Sequence, residues 1–103
     1  MSERLKSLIE LYLKDPNDSF VAYGIALEYS STENYGEAEK YLTKLIINDP
    51  NYVPAYMQLA QVKENLNKID DAKNTYKKGI EVAIKNNELR TASEMEEFLS
   101  ELE

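Results

Sequence analysis

Apolar and polar residues follow a helical period along most of the chain. Two sets of apolar residues have the spacing i, i+3, i+4 and i+7, namely Leu5, Leu8, Ile9 and Tyr12, and Ala22, Ile25, Ala26 and Tyr29. No stretch of useful length alternates with the period of two that is typical of a strand. The pattern therefore predicts an all-α protein.

Six helices joined by short turns account for this pattern. Asn34 followed by Glu37 resembles a capping box that starts the third helix, and Pro54 suits the first turn of the fourth. Asp70 and Asp71 are placed to open the fifth helix, where they favour its dipole. We predict helices at about residues 2-14, 19-31, 35-48, 53-66, 69-85 and 88-102.

The chain repeats itself. Asp15-Pro16-Asn17 returns as Asp49-Pro50-Asn51, and much of the apolar pattern returns in register with it. This period of about 34 residues is typical of stacked helical units, which present an extended binding surface. Gly79 falls inside a predicted helix, and we expect a neighbouring helix to approach closely there.

These residues resemble the tetratricopeptide repeat (TPR), a helix-turn-helix unit of about 34 residues with the pattern W-x2-L-G-x2-Y, then A-x3-F, then P. The first full repeat matches that pattern at Ala22, Ile25, Ala26, Tyr29, Ala38, Leu42 and Pro50. The second matches it at Tyr56, Leu59, Ala60, Ala72 and Tyr76. It departs from the family at Lys63, where the tyrosine falls, and at Ile84, where the proline falls, so we expect its second helix to continue past the usual end.

The resemblance implies a right-handed α-solenoid of antiparallel helix pairs that forms a single domain over residues 1–103. We divide the chain into a half-repeat helix at 1–16, repeat 1 at 17–50, repeat 2 at 51–86 and a cap helix at 87–103. At the positions of the small-residue pair, the cap carries Ser93 and Glu94. It therefore resembles the solvating helix that closes many TPR arrays.

In TPR arrays the first helix of each repeat lines a concave groove, which implies a protein or peptide ligand. The side chains expected on that groove are Phe20, Tyr23, Leu27, Ser31, Met57, Gln61 and Glu64. Exposed aromatic and Met side chains are typical of peptide recognition. The alternative is that Phe20 and Leu27 pack beneath the N-terminal helix.

One TPR subclass captures the C-terminal carboxylate of chaperones through Lys, Asn and Arg in the groove. The matching positions in this sequence hold Tyr23, Leu27, Gln58, Glu88 and Ala92, without a cation. An anionic peptide tail would therefore find no charged partner. We expect an apolar or a basic peptide instead, the latter attracted by the overall negative charge.

Composition excludes several classes of function. The chain has no Cys and no His, which removes disulfides, thiolate zinc sites, Cys nucleophiles and imidazole acid-base chemistry. Its net charge of −7 opposes phosphate neutralisation, so we expect no nucleic-acid partner. We also expect no signal peptide and no membrane span, and the absence of Cys favours the cytoplasm.

Two carboxylate pairs are the remaining candidates for chemistry. Asp70 with Asp71, and Glu96 with Glu97, are adjacent in sequence and therefore point about 100° apart on a helix. That arrangement suits neither a shared proton nor metal chelation, and solvated helix faces explain both pairs. We expect no enzyme activity, no metal and no cofactor, with an all-α carboxylate enzyme as the weakest alternative.

The final helix carries more apolar surface than a cap requires. Leu89, Ala92, Met95, Leu99 and Leu102 share one broad stripe, with Phe98 at its edge. This stripe either packs on the preceding helix or mediates a homodimer through Met95, Phe98 and Leu102. The favoured function is a protein-protein interaction module with a peptide-binding groove, and the alternative is a self-assembly unit that acts through its terminal helices.

Overall fold

The computed structural model describes residues 2–103, which form six α-helices. Within those residues there is no β-strand, and no helix is long and apolar enough to cross a membrane. The helices are α1 (Glu3–Lys14), α2 (Ser19–Ser31), α3 (Tyr35–Asn48), α4 (Val53–Asn65), α5 (Ile69–Lys85) and α6 (Leu89–Leu102). All six predicted helices are confirmed, and each boundary agrees to within one residue.

Local sequence chemistry explains several helix starts. The Asp18 carboxylate accepts a hydrogen bond from the Val21 N–H at 3.2 Å, and Pro54 lies in the first turn of α4 as predicted. The predicted capping box at Asn34 is wrong, because the Asn34 side chain makes no capping bond. Its amide instead donates to the Thr32 hydroxyl at 2.8 Å, which ties Asn34 to the end of α2.

Three helices end in the same kind of turn. Glu33, Asn67 and Asn87 each have φ near 60°, in the left-handed region. The N–H of the next residue reaches back to the helix with a 2.8 Å bond in each case, from Asn34 to Tyr29, from Lys68 to Lys63 and from Glu88 to Ala83. This is the Schellman arrangement, which closes α2, α4 and α5 and turns the chain sharply into the next helix.

Each helix packs on its neighbours in sequence, and α4 also contacts α6. The helices therefore step along an array of 38 × 28 × 19 Å, and the predicted all-α TPR-like solenoid is confirmed. Small residues allow the close packing, since Ala26, Ala38, Ala60 and Ala72 are all buried. The core is divided into three clusters along the array, centred on Ile25, Leu42 and Tyr76.

Gly79 lies at a close helix contact, as expected from its place in the sequence. A Cβ atom at this position would lie 2.7 Å from both the Met95 sulfur and the Tyr56 Cβ atom. Both distances are shorter than van der Waals contact, so a larger residue does not fit without movement of α4 or α6. Gly79 thereby sets the spacing of α4, α5 and α6.

The end of α5 changes the register of the last helix. α5 continues to Lys85, which confirms the extension predicted from Ile84. Ala92 and Met95 are the buried pair on α6, and they correspond to the buried Tyr56 and Leu59 on α4. The spacing between the two pairs exceeds the repeat length by two residues. The two additional residues turn Met95 into the core, so it takes the place that Leu59 has in the previous repeat.

Candidate functional site

The even-numbered helices α2, α4 and α6 define one side of the array, which we call the groove. Two contacts connect α2 with the next repeat, one at the end of α3 and one at the start of α4. The rings of Tyr23 in α2 and Tyr52 at the start of α4 have centroids 5.6 Å apart, and the Ser19 hydroxyl donates to the Asp49 carboxylate at 2.7 Å. Direct contact between α4 and α6 continues the surface to the end of the chain.

The first end of the groove is apolar and open. Phe20 is 75% exposed and Leu27 is 37% exposed, so neither is buried beneath α1, and that alternative is wrong. Tyr23 is half-buried beside them, where burial first and Tyr52 second raise the pKa of its hydroxyl. Ser31 is exposed in the last turn of α2. This end of the groove therefore presents exposed aromatic and aliphatic side chains on one helix.

The predicted α4 residues differ in their surroundings. Met57 is half-buried and packs against the core cluster that contains Tyr76, so it belongs partly to the core. Gln61 and Glu64 instead line an open cleft of about 550 Å³ between α4 and α6. The structure therefore brings Gln61 and Glu64 together at the second end of the groove.

Three further residues line that cleft and were missing from the predicted groove. They are Asn65 of α4 and Phe98 and Glu101 of α6. Asn65 lies one repeat length after Ser31, so the repeat itself was a signal for this position. No such signal existed for Phe98 and Glu101, because the register of α6 departs from the repeat.

Tyr76 lies beneath this cleft and contacts residues of both helices that line it. Its side chain is fully buried, its hydroxyl donates to the Glu64 carboxylate at 2.5 Å, and its ring stacks on Phe98 with centroids 6.0 Å apart. Burial, followed by the hydrogen bond to Glu64, strongly raises the pKa of the Tyr76 hydroxyl. It therefore stays protonated and acts as a permanent donor to Glu64.

The predicted self-association stripe is largely used within the molecule. Met95 is fully buried against Gly79, so the prediction that it mediates self-association is wrong. Phe98 and Leu102 are half-buried and pack against the same core cluster. Because α6 turns exposed Glu94, Glu96 and Glu97 outward, it has the solvated face expected of a cap. Self-association through Phe98 and Leu102 stays a prediction.

The carboxylate pairs show no arrangement for chemistry. Asp70, Asp71, Glu96 and Glu97 all lie on helix surfaces, and none of them is buried. Across residues 2–103, no group of three or more His, Cys, Asp or Glu side chains is arranged to hold a metal ion.

Comparison with known proteins supports the repeat assignment. The family model described as "Tetratricopeptide repeat" matches residues 31–94. A TPR repeat-containing protein of Methanocaldococcus jannaschii is 48% identical over 48 residues, which are 47% of this chain and 15% of that protein. The chain thus spans only a small part of the length of this relative.

Solved structures share the fold. The solution structure of a tetratricopeptide repeat domain protein from Salinibacter ruber is 35% identical, covers 86% of this chain and 90% of its own, and superimposes with a TM-score of 0.81. The TPR2B domain of yeast Sti1, in a complex with pHsp70, is 21% identical with a TM-score of 0.90, and covers 95% of this chain and 78% of its own. At that lower identity the likeness concerns the fold alone.

Proposed function

Because the chain belongs to the tetratricopeptide repeat family, we propose that it is a protein-protein interaction module that binds a peptide segment of its partner in the groove. The repeat supplies a rigid surface of several helices and no reacting group. The proposal assigns recognition to the exposed side chains of α2 and α4 and no catalysed reaction to the chain.

The exposure of Phe20 carries this proposal. A phenyl ring that is 75% exposed costs free energy in water, and burying it against a ligand recovers roughly 1.5–3 kcal/mol. Leu27 lies two helical turns further along the same helix and continues the apolar strip along α2. Together they provide an anchor for an apolar side chain of a peptide.

Structural neighbours support the class of ligand. The TPR2B domain of yeast Sti1 forms a complex with pHsp70, and the first TPR of Spaghetti (RPAP3) is bound to the HSP90 peptide SRMEEVD. These proteins share only 21% identity with this chain, so their particular peptides do not transfer. What we carry over is the use of a TPR surface for a short peptide.

The groove chemistry favours an apolar or basic peptide over an acidic tail. Chaperone-binding members of the family are expected to hold the peptide carboxylate with polar or cationic side chains. Three of those positions are occupied in this chain by Tyr23, Leu27 and Gln58. In the cap, the repeat length alone assigned the clamp positions to Glu88 and Ala92, but Ala92 is buried. Because α6 is shifted by two residues, the clamp positions fall on Arg90 and Glu94 instead. A single exposed Arg90 beside several carboxylates does not form an anion clamp.

Two variants with matched exposure test the proposal. Phe20 in α2 is 75% exposed and Ile47 in α3, outside the groove, is 71% exposed, so alanine at either position should leave the melting temperature nearly unchanged. Peptides selected from a displayed library of random dodecamers should bind Phe20→Ala about tenfold more weakly in titration calorimetry. Ile47→Ala should bind them like the wild type.

Three outcomes would contradict this assignment. A library that yields no binder would remove the peptide-binding function. Equal losses for Phe20→Ala and Ile47→Ala would show that general apolar exposure, and not the groove, accounts for binding. Binders that are predominantly acidic would contradict the proposed partner chemistry.

A further inference from the structure

The cleft between α4 and α6 combines an aromatic ring, two amides and two carboxylates. Gln61, Glu64 and Asn65 form one wall, and Phe98 and Glu101 form the other. We propose that this cleft receives the cationic side chain of an arginine in the bound peptide. The proposal rests on the peptide-binding function above and adds a subsite to it.

Uncompensated negative charge is the first reason. In the part of the chain that the structure describes, neither Glu64 nor Glu101 forms an ion pair, whereas Glu28 is paired with Arg4 at 2.7 Å and Glu39 with Lys63 at 3.2 Å. Two carboxylates that border one cleft disfavour an anion and favour a cation between them. A guanidinium group suits such a site, because its planar fork of donors matches the two oxygens of a carboxylate.

Preorganisation is the second reason. The Tyr76 hydroxyl bonds one oxygen of the Glu64 carboxylate, Oε2, which leaves Oε1 available for a ligand. Stacking on Tyr76 fixes the Phe98 ring at the same time. A cation that enters the cleft therefore meets a carboxylate and an aromatic surface that are already in place, so less conformational freedom is lost on binding.

The negative charge of the cleft has no counterpart in the first repeat, because the equivalent residues of the first repeat are uncharged. Leu27, Ser30 and Ser31 precede Gln61, Glu64 and Asn65 by one repeat length. At these positions the α2 side of the groove is uncharged, whereas the α4 side carries a carboxylate. A peptide that fits both would place an apolar residue near Phe20 and Leu27 and an arginine near Glu64 and Glu101.

A small probe tests the subsite by itself. We would titrate acetyl-arginine methylamide into isotope-labelled protein at about 150 mM salt, where general surface attraction is largely screened, and follow amide and side-chain NMR signals. Signals of Gln61, Asn65 and Phe98 should shift together. Acetyl-norleucine methylamide and acetyl-glutamate methylamide should leave them unchanged, because neither carries a cation.

Charge-matched variants separate the cleft from the overall acidity. Glu64→Gln retains an acceptor for Tyr76, and Glu101→Gln leaves that hydrogen bond untouched; each should weaken binding of the arginine probe by about fivefold. Glu96→Gln is the control, since Glu96 is exposed and lies five residues before Glu101, about 140° around α6. Equal weakening by Glu96→Gln would overturn the subsite and leave only charge attraction.

Failure of this inference differs from failure of the proposed function. If library peptides bind and depend on Phe20 but are insensitive to Glu64→Gln and Glu101→Gln, the arginine subsite is wrong and the groove remains. If the arginine probe shifts only signals distant from Gln61 and Asn65, the subsite is also wrong. If the probe shifts these signals and weakens in both variants but no library peptide is found, the cleft binds a guanidinium group and it is the peptide-binding function that fails.

Discussion

The Lys63 ammonium lies 3.2 Å from the Glu39 carboxylate, and this ion pair joins α4 to α3 across the boundary between the two repeats. Lys68 donates to both oxygens of the Glu39 carboxylate at 2.9 Å. The Glu39 and Lys63 side chains are only 19% and 16% exposed, so the pair is well protected from solvent. Lys63 occupies the place of the family tyrosine, and a charged network thus replaces an aromatic contact there.

Glu39→Gln should lower the free energy of unfolding by about 1 kcal/mol at pH 7. Burial raises the pKa of Glu39, but hydrogen bonds from Lys68 and Lys63 outweigh it and hold the pKa below its ordinary value of 4.5. Because the pKa of Glu39 is lower in the folded state, its ionised form stabilises the fold at pH values above the pKa of the unfolded state. That stability is lost as the pH falls through the pKa of the folded state. Urea denaturation should therefore show the two proteins converging below about pH 4.

A constant difference between these proteins from pH 7 to pH 3 would show that the charge of Glu39 is not what stabilises the junction. Glu37→Gln is a suitable control. Glu37 forms an exposed pair with Lys40 on the same helix, so its replacement should change stability by less than about 0.5 kcal/mol at any pH.

Gly79→Ala should destabilise the fold although alanine is the better helix former. The added Cβ atom would lie 2.7 Å from the Tyr56 Cβ atom, which is fixed to the backbone of α4 and cannot move aside. We expect a net loss of about 1–2 kcal/mol, because overpacking exceeds the gain in helix propensity.

Gly36→Ala is the matched control for this prediction. No atom lies within 4 Å of a Cβ built at Gly36, so alanine there should raise the free energy of unfolding by up to about 1 kcal/mol. Thermal melts of the two variants should shift in opposite directions. A stabilised Gly79→Ala protein would contradict the close approach of α4 and α6 at this position.

Glu33→Gly should stabilise the turn between α2 and α3. Glu33 has φ of 62°, which costs an ordinary residue about 1 kcal/mol because its Cβ atom is crowded, and glycine avoids that cost. Asn67 has φ of 60° in the equivalent turn, but asparagine tolerates this conformation, so Asn67→Gly should change stability less. Chemical denaturation that ranks the two substitutions in the reverse order would contradict this account.

Substitutions at Met95 and Leu102 should differ in their effect on stability and molecular mass, because Met95 belongs to the core and Leu102 to the predicted surface for self-association. Met95→Ala removes a fully buried side chain and should cost about 2–4 kcal/mol without change in molecular mass. Leu102 is half-buried in the last turn of α6, so Leu102→Glu should cost less. Light scattering over a range of concentrations would reveal a dimer in the wild type and its loss in Leu102→Glu, if α6 mediates self-association.

The sequence by itself determined the helices and the repeat. Apolar periodicity located six helices to within one residue, and the repeated Asp-Pro-Asn motif located the boundary between structural units. These features depend on contacts within one helix or between neighbouring helices, so the local pattern carries them. The sequence left Phe20 and Leu27 open between the groove and the core beneath α1, and the structure decided for exposure.

Tertiary structure decided what depends on the relative position of separate helices. The extension of α5 shifted α6 by two residues, which buried Met95 and brought Phe98 and Glu101 opposite Gln61 and Glu64. Two residues turn a helix by about 200°, so a register predicted from the repeat length points to the wrong face once the period is broken. The packing of Met95 against Gly79, with Ala92 buried and Phe98 stacked on Tyr76, fixes which face of α6 meets the array.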